Sequence, residues 1–430
     1  MKGKPLYLVL IGLLLVAGTG CEKKSGLVTG HVPARGGSNP NGLLLYKGDL
    51  YLQLSDETSG TDLWRYNGRT LLRIPGGANR MPARLTPFND RLMMTVMDES
   101  GRELWVLDGQ ELKRVADLSP GPESSNPGDL IVLGSELLFR AKDPGHGIEL
   151  WRYAGVEPLL VADLNPGPGS ANPYGITAFK GAAYFAADDN SVGYELWRYK
   201  EGAVTLVADL NPGPAGGRPT ELVDGGDRLY FWAYDSEHGT ELWQFDGQNT
   251  RMVADLNPGS EGANPRGLTF WEGRLYFSAN DGETGNELWR YDGTKLERLA
   301  DLYPGAASAM PAGFTGYKGA LYFAADDGRH GNELWRYDGT NITLVQDINP
   351  GRADSEPMGF LVTDKALYFV ATDEISGREL WRTEGDGAVL VQDVNPGPAS
   401  SVPTELTAYD SLICFGANDG THNRELWCLE

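Results

Sequence analysis

Pairs of acidic residues recur along the chain at a spacing that could bind a hard cation. In each pair an aspartate lies in a short polar segment and a second acid precedes a Leu-Trp dipeptide. Carboxylate oxygens are the ligands that Ca²⁺ prefers, so these pairs predict a calcium site. The candidates are Asp189, Glu195, Asp235, Glu241, Asp281, Glu287, Asp327 and Glu333. The alternative, which we favour, is architectural and requires no cofactor, because an aspartate in a turn commonly accepts backbone N–H bonds.

Four histidines recur at intervals of 92 residues, at the same place in every second pair: His146, His238, His330 and His422. A zinc site would require these side chains to converge on one ion. Stacked sheets lie about 10 Å apart, so histidines two sheets apart cannot share a metal. We therefore interpret the interval as the trace of a two-unit duplication.

One unit differs from the others in its aromatic residues. Trp232 lies where the equivalent residues are mostly small, with Tyr234 and His238 nearby. Exposed aromatic rings stack on sugars and peptides, so these three are the candidate ligand-binding residues. Core packing is the alternative that we favour for the tryptophan. The abundant carboxylates also leave open an acid–base pair for glycoside cleavage.

Two cysteines near the C-terminus are expected to form a disulfide. Aligning the last unit with residues 275–291 places Cys414 at the position of Tyr276 and Cys428 at that of Arg290. If these positions face each other across paired strands, the sulfur atoms are close enough to bridge. An oxidising compartment would preserve the bond. Two free buried thiols are the alternative.

All these residues belong to a unit that occurs nine times. A tryptophan marks each unit, and from Trp105 onward the interval is 46 residues every time. Two prolines seven residues apart, such as Pro258 and Pro265, also occur nine times. A period of this size is typical of propellers and solenoids. The tryptophans are Trp64, Trp105, Trp151, Trp197, Trp243, Trp289, Trp335, Trp381 and Trp427.

Short apolar segments alternate with glycine-containing turns inside each unit. In residues 265–304 the segments GLTFW, RLYFSAN, ELWRY and LERLADL predict four antiparallel strands. The pattern has no helical periodicity. The sequence therefore predicts an all-β fold, a closed β-propeller of nine four-stranded blades.

The two ends of the chain are complementary. The chain stops at Glu430, after a ninth third strand, and residues 27–42 align without a gap with residues 160–175, which contain a fourth strand. We expect Leu27 to Val32 to pair beside the strand of Trp427, which closes the ring and removes free sheet edges. Residues 27–430 then form a single propeller domain.

The N-terminus has the pattern of an export signal. An apolar segment from Leu6 to Val16 follows a lysine-containing start, and small residues then lead to Cys21. The apolar segment is too short to span a bilayer comfortably. Its end resembles the lipobox of bacterial lipoproteins. We predict a signal peptide over residues 1–20, lipidation of Cys21, and a short tether over residues 21–26.

The chain is strongly acidic, with a net charge of −22 that becomes −24 without Lys2 and Lys4 of the signal. Such a surface repels phosphate backbones and anionic headgroups, which excludes nucleic acid as a partner. The lipid anchor is then the only expected attachment to a membrane, and Glu22 after the cysteine favours the outer membrane over the inner one. We expect a monomer whose partner is a protein or glycan of the cell envelope.

Several units resemble a known repeat. Glu287–Thr294 and Glu333–Thr340 both read ELWRYDGT, and Leu344–Gly351 reads LVQDINPG. These segments resemble the ELWxxDGT repeat family of exported bacterial proteins over essentially everything after residue 26. Other units depart from the motif, since RYKEG follows the Leu-Trp of Glu195. The resemblance implies a repeat fold and export, and no particular reaction or ligand.

Two functions remain open at this point. The first is a membrane-tethered, extracytoplasmic binding scaffold, non-catalytic, that recognises a protein or glycan. The second is a propeller-based hydrolase or lyase that acts on carbohydrate. Polar residues confined to one blade at the channel mouth would favour the enzyme, and the same residues repeated in every blade would favour the scaffold.

Overall fold

The computed structural model describes residues 26–29, 36–76 and 78–430, which form 36 β-strands and no helix. Consecutive strands pair antiparallel in nine four-stranded sheets, the blades. Blade 1 is β2 (Asn41–Tyr46), β3 (Asp49–Asp56), β4 (Gly60–Tyr66) and β5 (Leu71–Arg73). Blade 2 is β6 (Ala83–Phe88), β7 (Arg91–Asp98), β8 (Gly101–Asp108) and β9 (Glu111–Arg114). Blade 3 is β10 (Gly128–Leu133), β11 (Glu136–Asp143), β12 (Gly147–Tyr153) and β13 (Pro158–Ala162).

The next three blades repeat this arrangement. Blade 4 is β14 (Tyr174–Phe179), β15 (Ala182–Asp188), β16 (Tyr194–Lys200) and β17 (Ala203–Ala208). Blade 5 is β18 (Thr220–Asp224), β19 (Leu229–Asp235), β20 (Gly239–Phe245) and β21 (Thr250–Ala254). Blade 6 is β22 (Arg266–Trp271), β23 (Arg274–Asn280), β24 (Asn286–Tyr291) and β25 (Leu296–Arg298).

The last three blades complete the ring. Blade 7 is β26 (Ala312–Tyr317), β27 (Ala320–Asp326), β28 (Asn332–Tyr337) and β29 (Ile342–Gln346). Blade 8 is β30 (Met358–Val362), β31 (Leu367–Asp373), β32 (Gly377–Glu384) and β33 (Gly387–Gln392). Blade 9 is β34 (Thr404–Tyr409), β35 (Leu412–Asn418), β36 (Arg424–Leu429) and β1 (Gly26–Leu27).

The hydrophobic core lies between neighbouring blades. The second strand of each blade is almost wholly buried, and residues on its two faces pack against different neighbours, as alternation along a strand requires. In blade 5, Phe231 packs towards blade 4, whereas Trp232 packs against Phe277 of blade 6. The apolar residues of one blade are therefore covered only when its neighbours are in place.

The ring is closed as the alignment of the chain ends predicts. Leu27 pairs with Trp427 and Gly26 with Cys428, and the N–H of Val28 donates to the carbonyl of Leu426 at 2.8 Å. At the channel, β34 contacts β2 just as each innermost strand contacts the next. The fold prediction is confirmed. The remainder of the predicted strap, residues 30–32, lies outside the described residues, as does Cys21.

The predicted disulfide is present. Cys414 and Cys428 face each other on β35 and β36, with their Cα atoms 4.0 Å apart, and a bond joins their sulfur atoms. Both residues are buried beside blade 1.

None of the residues that the structure describes, 26–29, 36–76 and 78–430, belongs to a helix that could span a membrane.

Candidate functional site

The recurrent aspartates cap their own hairpins. In blade 5 the carboxylate of Asp235 accepts the backbone N–H of His238 at 2.8 Å, and its oxygen lies 2.9 Å from the ring Nδ1 of that histidine. This hydrogen bond raises the pKa of His238. Partial burial acts to raise the pKa of Asp235, but the bonds from His238 and Glu237 lower it overall. His146, His330 and His422 each contact the aspartate of their own hairpin in the same way.

The recurrent glutamates fasten each blade to the linker that follows it. In blade 5, Glu241 is fully buried and accepts N–H bonds from Leu256 at 3.0 Å and Ala263 at 2.9 Å. Leu256 and Ala263 lie on the linker to blade 6. Burial raises the pKa of Glu241 to about 7, even though these bonds favour the carboxylate. Burial has the same effect on four equivalent side chains, those of Glu149, Glu195, Glu287 and Glu333.

The two acids of each pair bind different parts of the backbone, the aspartate its own turn and the glutamate the following linker. Asp281 accepts N–H bonds from Glu283 and Thr284 within its turn, whereas Glu287 binds the linker at Leu302. Among the described residues, no three histidine, cysteine or acidic side chains are grouped so that they could hold a metal ion. The architectural role thus accounts for the recurrence of the pairs. Calcium binding stays a prediction.

The three residues considered for ligand binding in blade 5 have different surroundings. Trp232 is only 2% exposed, lies edge-to-face against Phe277 with ring centroids 5.1 Å apart, and donates its indole N–H to Glu221 at 3.1 Å. A stacking role for Trp232 does not fit this burial, because its ring fills the space between blades 5 and 6. Tyr234 lines a separate cavity of about 420 Å³ with Arg218, and His238 stays with its aspartate.

Two glutamates on the channel wall were not expected from the sequence. Glu221 and Glu405 have positive φ angles of 49° and 61°, at a position of the innermost strand that several blades give to glycine. Each carboxylate accepts the N–H of a leucine in the next blade, Leu268 at 2.8 Å and Leu43 at 3.1 Å. They therefore tie neighbouring blades together at the channel. The signal was the replacement of glycine at a position whose positive φ favours glycine.

A cavity of about 430 Å³ lies between blades 7 and 8. We call it the blade 7–8 cavity. It opens on the face opposite the aspartate hairpins, because its walls come from the turns that join first to second and third to fourth strands. It is lined by Tyr317, Lys318, Tyr322, Arg336, Lys365, Ala366, Arg382, Thr383, Glu384, Gly385 and Asp386.

One residue in the wall of the blade 7–8 cavity breaks the repeat, and the cavity is larger than the one of about 250 Å³ at the equivalent place between blades 2 and 3, where Tyr153 keeps the repeat. At the position of Thr383, the other blades carry a large apolar or aromatic residue: Tyr66, Leu107, Tyr153, Tyr199, Phe245, Tyr291, Tyr337 and Leu429. Where this residue is a tyrosine, its aromatic ring packs against the preceding blade. The ring centroids of Tyr337 and Tyr276 lie 6.2 Å apart, and those of Tyr291 and Tyr230 lie 6.0 Å apart. Thr383 supplies no ring to cover Tyr322. Its hydroxyl instead accepts the N–H of Leu367 at 3.2 Å.

Lys365 is the second departure that shapes the blade 7–8 cavity. It replaces the glycine that blade 7 has at this hairpin position, Gly319. Its carbonyl accepts the hydroxyl of Tyr317 at 2.9 Å, which holds the hairpin of blade 8 against blade 7. The sequence contained both signals, a lysine for a glycine and a threonine for a tyrosine. That both residues of blade 8 line one cavity against blade 7 appears only in the structure.

Comparisons with known proteins show a propeller-type repeat. A family model described as PQQ_2, outer membrane protein assembly factor BamB, is similar to residues 95–304, just under half of the chain. No curated protein sequence matches the chain.

Among solved structures, the β-propeller domain of the Trilobed protease from Pyrococcus furiosus is 11% identical with a TM-score of 0.39, covering 75% of this chain and 98% of that one. A puromycin-hydrolysing peptidase from Mycobacterium tuberculosis is 11% identical with a TM-score of 0.43, covering 90% of this chain and 59% of that one. A prolyl endopeptidase is 14% identical with a TM-score of 0.44, and the aligned region spans 54% of its length. The similarity extends no further than the fold.

Proposed function

We propose that the protein is an exported propeller, lipid-anchored through Cys21, that acts as a non-catalytic scaffold for a protein or glycan of the cell envelope. The blade 7–8 cavity receives the ligand. Export and anchoring rest on the sequence pattern of residues 1–21. Membership of the ELWxxDGT repeat family is part of the same proposal and rests on the motifs at Glu287–Thr294 and Glu333–Thr340.

The observation that carries the proposal is the break in the repeat at Thr383. The recurrent aspartates, glutamates and histidines are bonded within their own hairpins and linkers, as expected of architecture. Two residues in the wall of the blade 7–8 cavity, Thr383 and Lys365, in contrast, have no equivalent at these positions in the other blades. Glycoside cleavage uses two carboxylates held in place. Here the lining carboxylates, Glu384 and Asp386, lie on the exposed rim, which favours binding over catalysis.

The experiment that tests the proposal fills the cavity with the residue that the repeat normally has. We expect full-length protein, purified in detergent, to retain envelope fragments, and Thr383→Tyr to lose that retention while it stays folded. Phe245→Tyr is the matched control, because it installs the same tyrosine at the same position of blade 5. Equal retention by wild type and Thr383→Tyr would contradict the proposal, as would release of soluble sugar products from the fragments.

The anchor is tested separately from the cavity. Cells that produce the wild type should incorporate a palmitate analogue into the protein, and cells that produce Cys21→Ser should not. Equal labelling of both proteins would reject lipidation at this residue.

A further inference from the structure

The blade 7–8 cavity gathers positive charge in a strongly acidic protein. Four basic side chains line it, Lys318, Arg336, Lys365 and Arg382, against two carboxylates. The whole chain, in contrast, has 37 basic and 59 acidic side chains. A concave site lined by one sign of charge focuses the field and concentrates ions of the opposite sign.

The two arginines in the blade 7–8 cavity are weakly paired. Arg336 lies 3.7 Å from Asp386, whose side chain is fully exposed, and Arg382 lies 3.4 Å from Glu384, which is 61% exposed. Exposed pairs of this kind contribute little and are easily displaced. At the equivalent position of blade 3, Arg152 donates to Glu136 at 2.6 Å, and Glu136 is largely covered. The arginines of blades 7 and 8 therefore keep donors available.

The two lysines form no ion pair with any residue that the structure describes. The amino group of Lys318 lies 4.9 Å from the ring centroid of Tyr317 and 3.4 Å from the carbonyl of Lys365, neither of which carries a charge. Lys365 is exposed at the tip of the blade 8 hairpin. Ammonium and guanidinium groups that converge on a cavity are the usual means of holding phosphate or carboxylate oxygens.

The walls of the blade 7–8 cavity suit a ligand larger than a bare ion. Its volume, about 430 Å³, lies within the range of small-molecule sites. The rings of Tyr317 and Tyr322 form part of the wall and are nearly buried. Two tyrosine rings beside four basic side chains fit a ring-shaped ligand that carries a charge at one edge.

We infer that the blade 7–8 cavity binds an oxyanion, a phosphate or a carboxylate, carried on a sugar of the envelope ligand. The inference rests on the proposed function, since it names the group that the scaffold recognises. A carboxylate offers two coplanar oxygens and a phosphate offers a tetrahedral set. Either group can accept hydrogen bonds from Lys365 and Arg382. Phosphorylated sugars and uronic acids are the two sources of that chemistry.

Titration calorimetry of the full-length protein at low ionic strength tests the inference, with glucose 6-phosphate, glucuronate and neutral glucose as probes. At least one anionic probe should bind, more tightly than glucose, and the tighter of the two identifies the source. Arg382→Gln and Lys365→Gly should each weaken binding by about tenfold or more. Thr383→Tyr should abolish it.

The matched control is Lys180→Gln. Lys180 occupies in blade 4 the position that Lys318 has in blade 7, and its amino group likewise lies 4.9 Å from an aromatic ring, that of Phe179. This variant should bind the anionic sugar like the wild type. Added salt should weaken wild-type binding, because screening acts on the exposed charges.

Two results would overturn the inference: neither anionic sugar binds more tightly than glucose, or affinity is unchanged in Arg382→Gln and Lys365→Gly. Failure of the oxyanion inference can be distinguished from failure of the scaffold proposal. If Thr383→Tyr loses envelope fragments while neither anionic sugar binds the wild type, the scaffold stands and the oxyanion is rejected. If the anionic sugar binds but fragments are retained equally by both proteins, the scaffold proposal is rejected.

Discussion

The carboxylate of Glu425 accepts the backbone N–H of Ser38 at 3.1 Å, although the two residues are 387 positions apart. In blades 2 to 8 the same contact spans 22 residues, as between Glu379 and Ser401 at 2.8 Å. The chain ends thus reproduce the contact that joins every blade to its following linker. Thr29 strengthens this closure, since its hydroxyl bonds to Glu425 and accepts the N–H of Leu426 at 2.7 Å.

Replacing Thr29 by valine should weaken the closure of the ring. Valine keeps the shape but leaves the N–H of Leu426 without its acceptor and removes one of the two hydroxyl donors to the carboxylate of Glu425. Leaving a buried polar group unsatisfied costs about 1–3 kcal/mol, so the free energy of unfolding should fall by that amount in denaturant titrations. Thr315→Val is the control, because the hydroxyl of Thr315 is exposed and bonds only to Gly313. An unchanged Thr29→Val protein would argue against a structural strap.

Removing one buried glutamate should loosen the junction between two blades. Glu241→Ala deprives the N–H groups of Leu256 and Ala263 of their acceptor. The loss should exceed about 2 kcal/mol in the free energy of unfolding. Glu237→Ala, on the exposed tip of the same blade's hairpin, should change it by no more than about 0.5 kcal/mol. Equal stability of the two variants would contradict the role given to Glu241.

Stability should fall as the pH rises from about 4.5 to 7. Burial raises the pKa of Glu241 from 4.5 to about 7, so the folded protein binds more protons than the unfolded chain in this window. The contribution is fully present below 4.5 and is lost as the pH passes 7. The free energy of unfolding should therefore be greater at pH 5 than at pH 8.

Glu241→Gln isolates the contribution of one glutamate to this pH dependence. The amide does not titrate, so the slope of stability against pH should decrease by up to about 1.4 kcal/mol per pH unit within the window. Greater stability of the wild type at pH 8 than at pH 5 would show that the buried glutamates do not govern the dependence.

The disulfide should protect the last blade from fraying. Cys414 and Cys428 enclose a short loop, with a sequence separation of 14. Replacing both by alanine should therefore cost about 3 kcal/mol or less in the free energy of unfolding. Intact mass of the non-reduced wild type should be lower by two hydrogen atoms than that of the reduced protein. Two free thiols in protein taken from cells would contradict the bond.

The ring and its closure could be predicted because they depend on what repeats. The interval after Trp105 specifies the blade, and the alignment of residues 27–42 with residues 160–175 specifies how the ends meet. The disulfide followed from aligning the last unit with residues 275–291. Nothing beyond the register of paired strands was needed for these predictions.

The candidate site could not be predicted, because it depends on contacts between side chains of neighbouring blades, and the sequence of one unit does not show which residues of the next blade it touches. For Trp232 the sequence left stacking on a ligand open beside the favoured core packing, because the ring that it packs against, Phe277, belongs to the next blade. Conversely, Thr383 gives no signal by its residue type, because threonine is common in strands. Its significance is the missing ring over Tyr322, one blade away.

Photo-crosslinking in living cells tests most directly whether binding occurs where the repeat is broken. A benzophenone amino acid would replace Lys318 beside the blade 7–8 cavity or, as the matched position in blade 4, Lys180. If the blade 7–8 cavity binds the ligand, we expect an envelope adduct from position 318, little from position 180, and loss of the adduct when Thr383→Tyr is added. Equal adducts from both positions, or an adduct from position 318 that survives Thr383→Tyr, would contradict it.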